Sequence, residues 1–311
     1  MDENQSVLTP YGTDAAAIAT LSWVMFVGAI IIVFGVLAFA IAAHRGGPRL
    51  RKALAKERFI LMWGTLFPTA TLIALLTYGL TLTGIRVMPA EADALKIEIS
   101  GEQWWWRVRY PATEQTPAFM TANEIRIPIG RQVEIKLSSA DVIHSFWVPN
   151  LAGKVDMIPG TINRIRLTAT KIGVFRGQCA EYCGGAHALM AFHAQALEPA
   201  EFSQWLIDQH QAVALPATAL ERQGSELFLL GGCGACHAIR GTEARGTVGP
   251  DLTHVGSRIS LAAGMLPNNA ESFGEWIANN QHIKPNNRMP PFKIFSSDEL
   301  AALGAYLDGL K

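Results

Sequence analysis

The sequence predicts a multidomain membrane protein in three parts: a two-helix transmembrane hairpin, an all-β sandwich and an all-α C-terminal domain. Three observations carry this. Two long uncharged runs, Ile18 to Ala43 and Phe59 to Leu82, flank a strongly basic segment. Short segments of alternating polarity then fill residues 89–210, and a Cys-x-x-Cys-His run at Cys233 to His237 sits among helical patterns. The expected boundaries are 1–88 for the N-terminal segment and hairpin, 89–210 for the sandwich, 211–219 for a linker and 220–311 for the last domain. A chain of 311 residues is long enough for such a division. Its mean hydropathy of +0.20 is high for a soluble protein. The balance of 26 Lys and Arg against 26 Asp and Glu leaves no basic field of the kind nucleic-acid binding needs.

The first run has 26 residues without a charge, enough to cross a hydrocarbon core of about 30 Å. It is preceded by Asp2, Glu3 and Asp14 and by no Lys or Arg. A cleavable signal would need a basic start, a shorter apolar run and a small-residue cleavage site, so a retained helix is expected. The loop from His44 to Arg58 carries Arg45, Arg49, Arg51, Lys52, Lys56 and Arg58 against Glu57 alone. Positive charge marks the cytoplasmic side, which places both termini outside the cytoplasm, as in a two-pass membrane protein. Pro68 should kink the second helix, with neighbouring helices satisfying the freed carbonyl. Neither run contains His, Cys, Asp, Glu, Lys or Arg, so this chain is expected to ligate no haem or metal at bilayer depth. The hairpin reads as an anchor and a docking surface for another subunit.

Beyond Met88 the pattern changes. Val133, Ile135 and Leu137 alternate with Glu134 and Lys136, and Asn163 to Ala169 repeats the alternation. Further strands are expected near 95–100, 105–110, 124–128, 143–148, 174–177 and 190–196, which together argue for a sandwich or barrel. Trp104, Trp105 and Trp106 are consecutive, and side chains alternate faces along a strand, so at least one should be exposed. That exposed ring fits packing against another domain or the membrane interface, or a contact point for an electron donor.

Cys179, Cys183, His187 and Met190 fall within twelve residues, and His144 lies upstream in the strand-like run Val142 to Val148. Thiolate, thioether and imidazole are soft or borderline ligands that select copper, zinc or iron–sulfur centres over hard cations. One His from a strand with a Cys/His/Met loop is how a cupredoxin-like sandwich builds a copper site. A single Cys suits a mononuclear blue-copper centre, whereas two Cys four residues apart allow both thiolates to bridge two coppers. One structural zinc or a Cys179–Cys183 disulfide are the competing readings.

These residues carry a resemblance. Over residues 15–210 the chain resembles subunit II of haem–copper cytochrome c oxidases. The matching features are the hairpin, the run Gly101 to Trp106, the run His144 to Pro149, the run Lys154 to Gly160 and the segment Gly177 to Met190, in which every ligand spacing agrees. The resemblance implies a binuclear CuA centre bridged by Cys179 and Cys183 and capped by His144 and His187. Met190 and the backbone carbonyl of Glu181 would be weak axial ligands. It also implies a magnesium ion shared with subunit I through the Glu181 carboxylate, and electrons entering at Trp104. One departure is Ile60, where the family often has a carboxylate one turn before the Trp of the second helix; the nearest acid is Glu57. A role at the mouth of a proton channel is therefore not implied.

Cys233, Cys236 and His237 form the c-type haem attachment pattern, with both thiols as thioethers and His237 as proximal ligand. Leu227, Phe228 and Leu230 offer a buried stripe before it. Gly249 to Arg258 and Asn287 to Phe292 follow in the order seen in class I cytochromes c, which residues 220–311 resemble. Met289, in a Pro-bounded loop, is the expected distal ligand, with Met265 its competitor. His254 and His282 are read as surface or supporting residues. A His/Met pair raises the haem potential. Ser296 and Glu299 form a capping box opening a last helix that turns Leu300, Leu303 and Leu307 inward.

Together the resemblances imply a caa-type arrangement, with a cytochrome c domain fused to the subunit that receives its electrons. The expected path runs from an external cytochrome c or other redox donor to haem c, the Trp104 region, CuA and subunit I, where oxygen is reduced to water. Subunit III is a further expected partner, and nucleic acid is not one. Residues 220–311 hold eight Lys or Arg against nine Asp or Glu, so a tether replaces electrostatic steering. The linker of nine residues would span roughly 15–18 Å if flexible. The copper-containing subunit of a nitric-oxide reductase and a non-catalytic copper-delivery or sensing protein are the alternatives. A quinol-oxidase subunit is disfavoured by the copper ligands present.

Overall fold

A computed structural model describes residues 5–87, 89–114 and 116–311; Asp2, Glu3 and Met88, used above, lie outside them. Residues 16–89 form one compact unit, and residues 5–15 with 90–311 form another.

In the first unit, α1 spans Thr13–Arg45 and the second apolar helix spans Glu57–Gly84, each long and apolar enough to cross a membrane. Phe39 of α1 meets Phe59 and Trp63 of the second helix with ring centroids 5.3 and 5.8 Å apart. The basic segment is not all loop: α2 covers Pro48–Leu54 and starts on proline, whose missing N–H costs nothing there. The second helix is α3 (Glu57–Leu61), a π-helical turn (Met62–Leu66) and α4 (Phe67–Val87). The expected disturbance at Pro68 takes the form of that wide turn. The proline ring would collide with the carbonyl four residues back, at Gly64, and the π turn moves it aside within the helix.

The second unit opens with two five-stranded sheets. The first has the order β3 (Phe119–Ala122), β2 (Trp105–Tyr110), β1 (Leu95–Glu102), β5 (Val133–Ser139) and β8 (Asn163–Leu167). The second has the order β4 (Glu124–Pro128), β10 (Ala191–Leu197), β9 (Gly173–Cys179), β6 (His144–Trp147) and β7 (Val155–Met157). Period-2 patterning sets the register: Ile97 pairs with Ile135 and Ile99 with Leu137 along the parallel β1–β5 ladder, and all four are buried between the sheets. Residues before the hairpin join this body. The Tyr11 and Thr13 amides donate to the carbonyls of Asn150 and Thr168.

The expected exposed tryptophan is absent. Trp104 and Trp106 are buried and Trp105 is half-buried, its ring covered by the Arg107 guanidinium at 4.6 Å.

After α5 (Pro199–His210) and an irregular segment 211–218, α6 (Ala219–Leu230), α7 (Ala270–Ile283) and α8 (Ser297–Gly309) build the last domain around Phe228, Phe273, Ile277, Leu303 and Leu307. A short hairpin, β11 (Ser260–Leu261) with β12 (Leu266–Pro267), lies between α6 and α7. Helices α6 and α8 cross at Gly224, where a Cβ would stand 2.0 Å from the carbonyl oxygen of Ala302. Both α6 and α8 begin with a capping box, Thr218 with Glu221 and Ser296 with Glu299. Leu230 is not part of the buried stripe: it is 85% exposed at the last turn of α6, where the helix axis has passed the core.

Candidate metal centre and haem cavity

Strand β6 carries His144 and pairs with β9 so that Phe146 faces Cys179, which places the imidazole at the end of the strand that delivers the first thiol. The chain then loops through Cys183 and a 3-10 turn, His187–Leu189, before Met190 leads into β10. The loop is closed at its base, where the Cys179 amide donates to the Met190 carbonyl at 2.9 Å and the Ala180 amide to that of Ser145 at 3.0 Å. Gly101 makes room for His144, since a Cβ there would lie 2.8 Å from the ring.

The donor atoms converge. The two Sγ atoms are 3.8 Å apart, too far for a disulfide, but the separation expected of two thiolates each about 2.3 Å from a shared metal. Nδ1 of His144 is 3.8 Å from Cys179 Sγ, and Nδ1 of His187 is 3.5 Å from Cys183 Sγ. Met190 Sδ lies 3.8 Å from Cys183 Sγ, and the Glu181 carbonyl oxygen lies 3.2 Å from Cys179 Sγ. His144, Cys179, Cys183 and Met190 are buried, so water is kept from these atoms. Each thiol has its own imidazole, an elongated arrangement that suits two metal ions better than one tetrahedral ion. Without metal the thiols share one charge. A hydrogen bond from Cys183 pulls the Cys179 pKa down to about 4, and that thiolate pushes Cys183 upward.

The supporting residues were missed by sequence reasoning. Nε2 of His144 is 2.8 Å from Oδ1 of Asp141, a carboxylate–histidine pair that fixes ring orientation and leaves Nδ1 for a metal. Burial opposes charge on Asp141, but His144 and the Gln103 and Val142 amides outweigh it and hold the carboxyl below its usual range. Burial likewise opposes charge on His144, and Cys179 and Asp141 outweigh it. An acid three residues before a strand histidine was the available signal. The Trp104 indole donates to the Cys183 carbonyl at 3.0 Å, and the Gln103 side chain donates to the same oxygen at 2.8 Å. The Glu181 carboxylate is half-buried, 4.0 Å from Lys154 Nζ. Among the described residues, the cluster of at least three His, Cys, Asp or Glu ligand atoms is His144, Cys179 and Cys183, and the Glu181 carboxylate is outside it.

A second set of residues lines one cavity. Cys233, Cys236, His237 and Met289 share its wall with Leu252, Phe273, Ile277 and Leu307. Cys233 opens a 3-10 turn and Cys236 caps its end. Nδ1 of His237 donates to the Pro250 carbonyl at 2.8 Å, which fixes the tautomer and leaves Nε2 with a free lone pair. Burial holds His237 below its ordinary pKa, so it is neutral and able to ligate. Gln281 donates to the Met289 carbonyl and the Met289 amide donates to Asn287, which pins the loop. Met265 and His254 are not among the lining residues, and His282 is exposed. An apolar wall, a thiol pair, a neutral imidazole and a thioether fit a covalent haem. Trp104 and Trp105 line the same cavity from the sandwich side.

Residues 112–197 match the family model for the periplasmic domain of cytochrome c oxidase subunit II, and residues 222–311 match that for cytochrome c. Cytochrome c oxidase subunit 2 of Alkalihalophilus pseudofirmus is 35% identical over an alignment covering 100% of this chain and 92% of the relative. That of Bacillus subtilis is 30% identical, covering 96% of this chain and 88% of the relative. The crystal structure of the periplasmic domain of subunit II (CoxB) of Bradyrhizobium japonicum is 33% identical, with a TM-score of 0.36, covering 39% of this chain and 96% of that one. Two apolar helices, a sandwich with converging sulfur and nitrogen donors, a haem-attachment cavity and full-length relatives lead to one assignment: the chain belongs to the cytochrome c oxidase subunit II family and carries a cytochrome c domain, as part of an oxidoreductase.

Proposed function

We propose that this chain is the electron-accepting subunit of a respiratory caa-type cytochrome c oxidase, holding a binuclear CuA centre and one haem c. The observation that carries the reading is a pair of thiols 3.8 Å apart, each beside its own imidazole. Cys179, Cys183, His144, His187, Met190 and the Glu181 carbonyl would hold the coppers. Cys233 and Cys236 would attach the haem, and His237 and Met289 would supply ligands to its iron. When bound, the two groups supply one-electron carriers in series between an external donor and subunit I, where oxygen is reduced to water.

The chain's own residues hold, orient and insulate. Asp141 keeps the His144 ring in place. Burial of both thiols excludes water and lets the loop keep one geometry in both redox states. Trp104 is where electrons enter the sandwich: it borders the haem cavity and its indole donates to the Cys183 carbonyl. The Glu181 carboxylate, outside the copper cluster, would serve as a ligand to a magnesium ion shared with subunit I. The basic segment 44–58 faces the cytoplasm, and both soluble domains, 89–210 and 220–311 joined by the linker, lie on the opposite side of a bacterial plasma membrane, with subunit III as a further neighbour.

Metal and haem analysis of the purified complex tests this. Two coppers with a mixed-valence paramagnetic signal and one covalent haem per chain are expected. Stoichiometric zinc without copper would overturn the reading.

A further inference from the structure

Lysine is almost never fully buried unless paired. Lys284, at the C-terminal cap of α7, is buried, and its Nζ donates to two backbone carbonyls, Trp104 at 2.8 Å and Ala262 at 2.9 Å. The first belongs to the sandwich and the second to the cytochrome domain, so one ammonium ties the two together at the tryptophan that borders the haem cavity. Burial makes this position costly, pulling the Lys284 pKa down to about 7.

The partner loop is specialised for the same contact. Ala262, Ala263 and Gly264 are consecutive left-handed residues, with φ of 54°, 63° and 78°. Left-handed backbone is unfavourable for alanine and persists where its surroundings demand it. Here it turns three successive carbonyls to donors: Lys284 on Ala262, the Ala191 amide on Ala263 at 3.2 Å and the Arg176 guanidinium on Gly264 at 3.2 Å. Ala191 directly follows Met190. The clamp therefore reaches both sides of the copper loop, through Trp104 on one side and the start of β10 on the other. Glu124 accepts from the Ile259 amide at 2.7 Å and Arg126 donates to the Ser257 carbonyl at 2.9 Å, extending the same seam.

We propose that Lys284 and the loop Ala262–Gly264 form a clamp that docks the cytochrome domain on the sandwich, with Lys284 a positioning residue for electron transfer between the two centres. This rests on the proposed function for its consequence and on the geometry for its existence. Removing the ammonium strands two buried carbonyls at the seam, a loss that shifts a docking equilibrium by about tenfold.

The test uses the full chain in its oxidase complex with Lys284→Met and, separately, Arg176→Met. Amide exchange at residues 103–107 and 259–265 and proteolysis within 211–218 report docking; internal electron redistribution after flash reduction reports transfer. Lys284→Met should raise exchange on both sides and linker cleavage about tenfold as the undocked fraction grows, and slow redistribution by a smaller factor because the docked fraction starts near its ceiling, with the haem and copper spectra unchanged. Arg176→Met should act in the same direction more weakly, and keeps the test open should the first variant fail to assemble. Unchanged exchange and cleavage in both variants would overturn the clamp. So would faster exchange confined to 259–265, because Lys284 would then brace only its own domain. A wild-type complex lacking copper would overturn the functional reading while leaving the exchange comparison intact.

Discussion

His144 has two ring nitrogens, and the chain has a use for each. Nδ1 faces Cys179 and Nε2 meets Asp141. A carboxylate behind a metal-facing imidazole fixes the ring and raises its basicity, and losing such a partner typically costs about 10–100-fold in metal affinity. Asp141→Ala should therefore release copper to a competing chelator about 10–100-fold more readily, with the haem spectrum unaltered. Copper retention equal to wild type would show that packing against Gly101 alone holds the ring. Asp141 also lies 3.7 Å from the Arg288 guanidinium, but that partner is largely exposed, and exposed pairs contribute little. The candidate ligands were legible in the sequence because the chemistry of thiol, imidazole and thioether is carried by residue type and spacing. Lys284 was not, since a charged residue reads as surface until the fold buries it.

At the scale of elements, the strands that alternated cleanly were legible: β2 and β4 lie where the pattern put them, and β1, β5, β8, β9 and β10 differ by a residue or two at their ends. Two strands of the sandwich were not. Segment Phe119–Ala122 buries three of its four residues, and Val155–Met157 is too short to show a period; both owe their existence to a neighbour's open edge. Helix α7 was also missed, because non-helical backbone at Asn279 and the polar residues after Ile277 break its apolar stripe. The α6–α8 crossing depends on one missing side chain. Gly224→Val would press carbon into the Ala302 carbonyl and force the helices apart, at about 3 kcal/mol. For a domain of this size the transition should fall by on the order of 10 °C, followed through the haem absorbance, with the copper signal of the sandwich unchanged. An unshifted transition would mean that α8 can slide without loss of packing.

For the whole molecule, tether and clamp make separable contributions to bringing the cytochrome domain to Trp104. The irregular segment 211–218 joins α5 to α6, and a short flexible link gives effective concentrations on the order of millimolar. Effective concentration falls as roughly the −3/2 power of length, so doubling the linker would lower it about threefold. If docking is held by the seam at Lys284, Arg126 and Glu124, the docked fraction is already near its ceiling and a threefold loss of encounter scarcely changes it. Inserting eight Gly/Ser residues (a number set by the link's own length) should then leave internal electron redistribution close to wild type. The same insertion in the Lys284→Met background should slow it by up to about threefold, because encounter then limits the docked population. A threefold slowing in the otherwise wild-type chain would assign docking to the tether. The near-neutral charge of the cytochrome domain sharpens the comparison: with long-range steering weak, varying ionic strength leaves the tether and the buried seam as the two terms that differ between the variants.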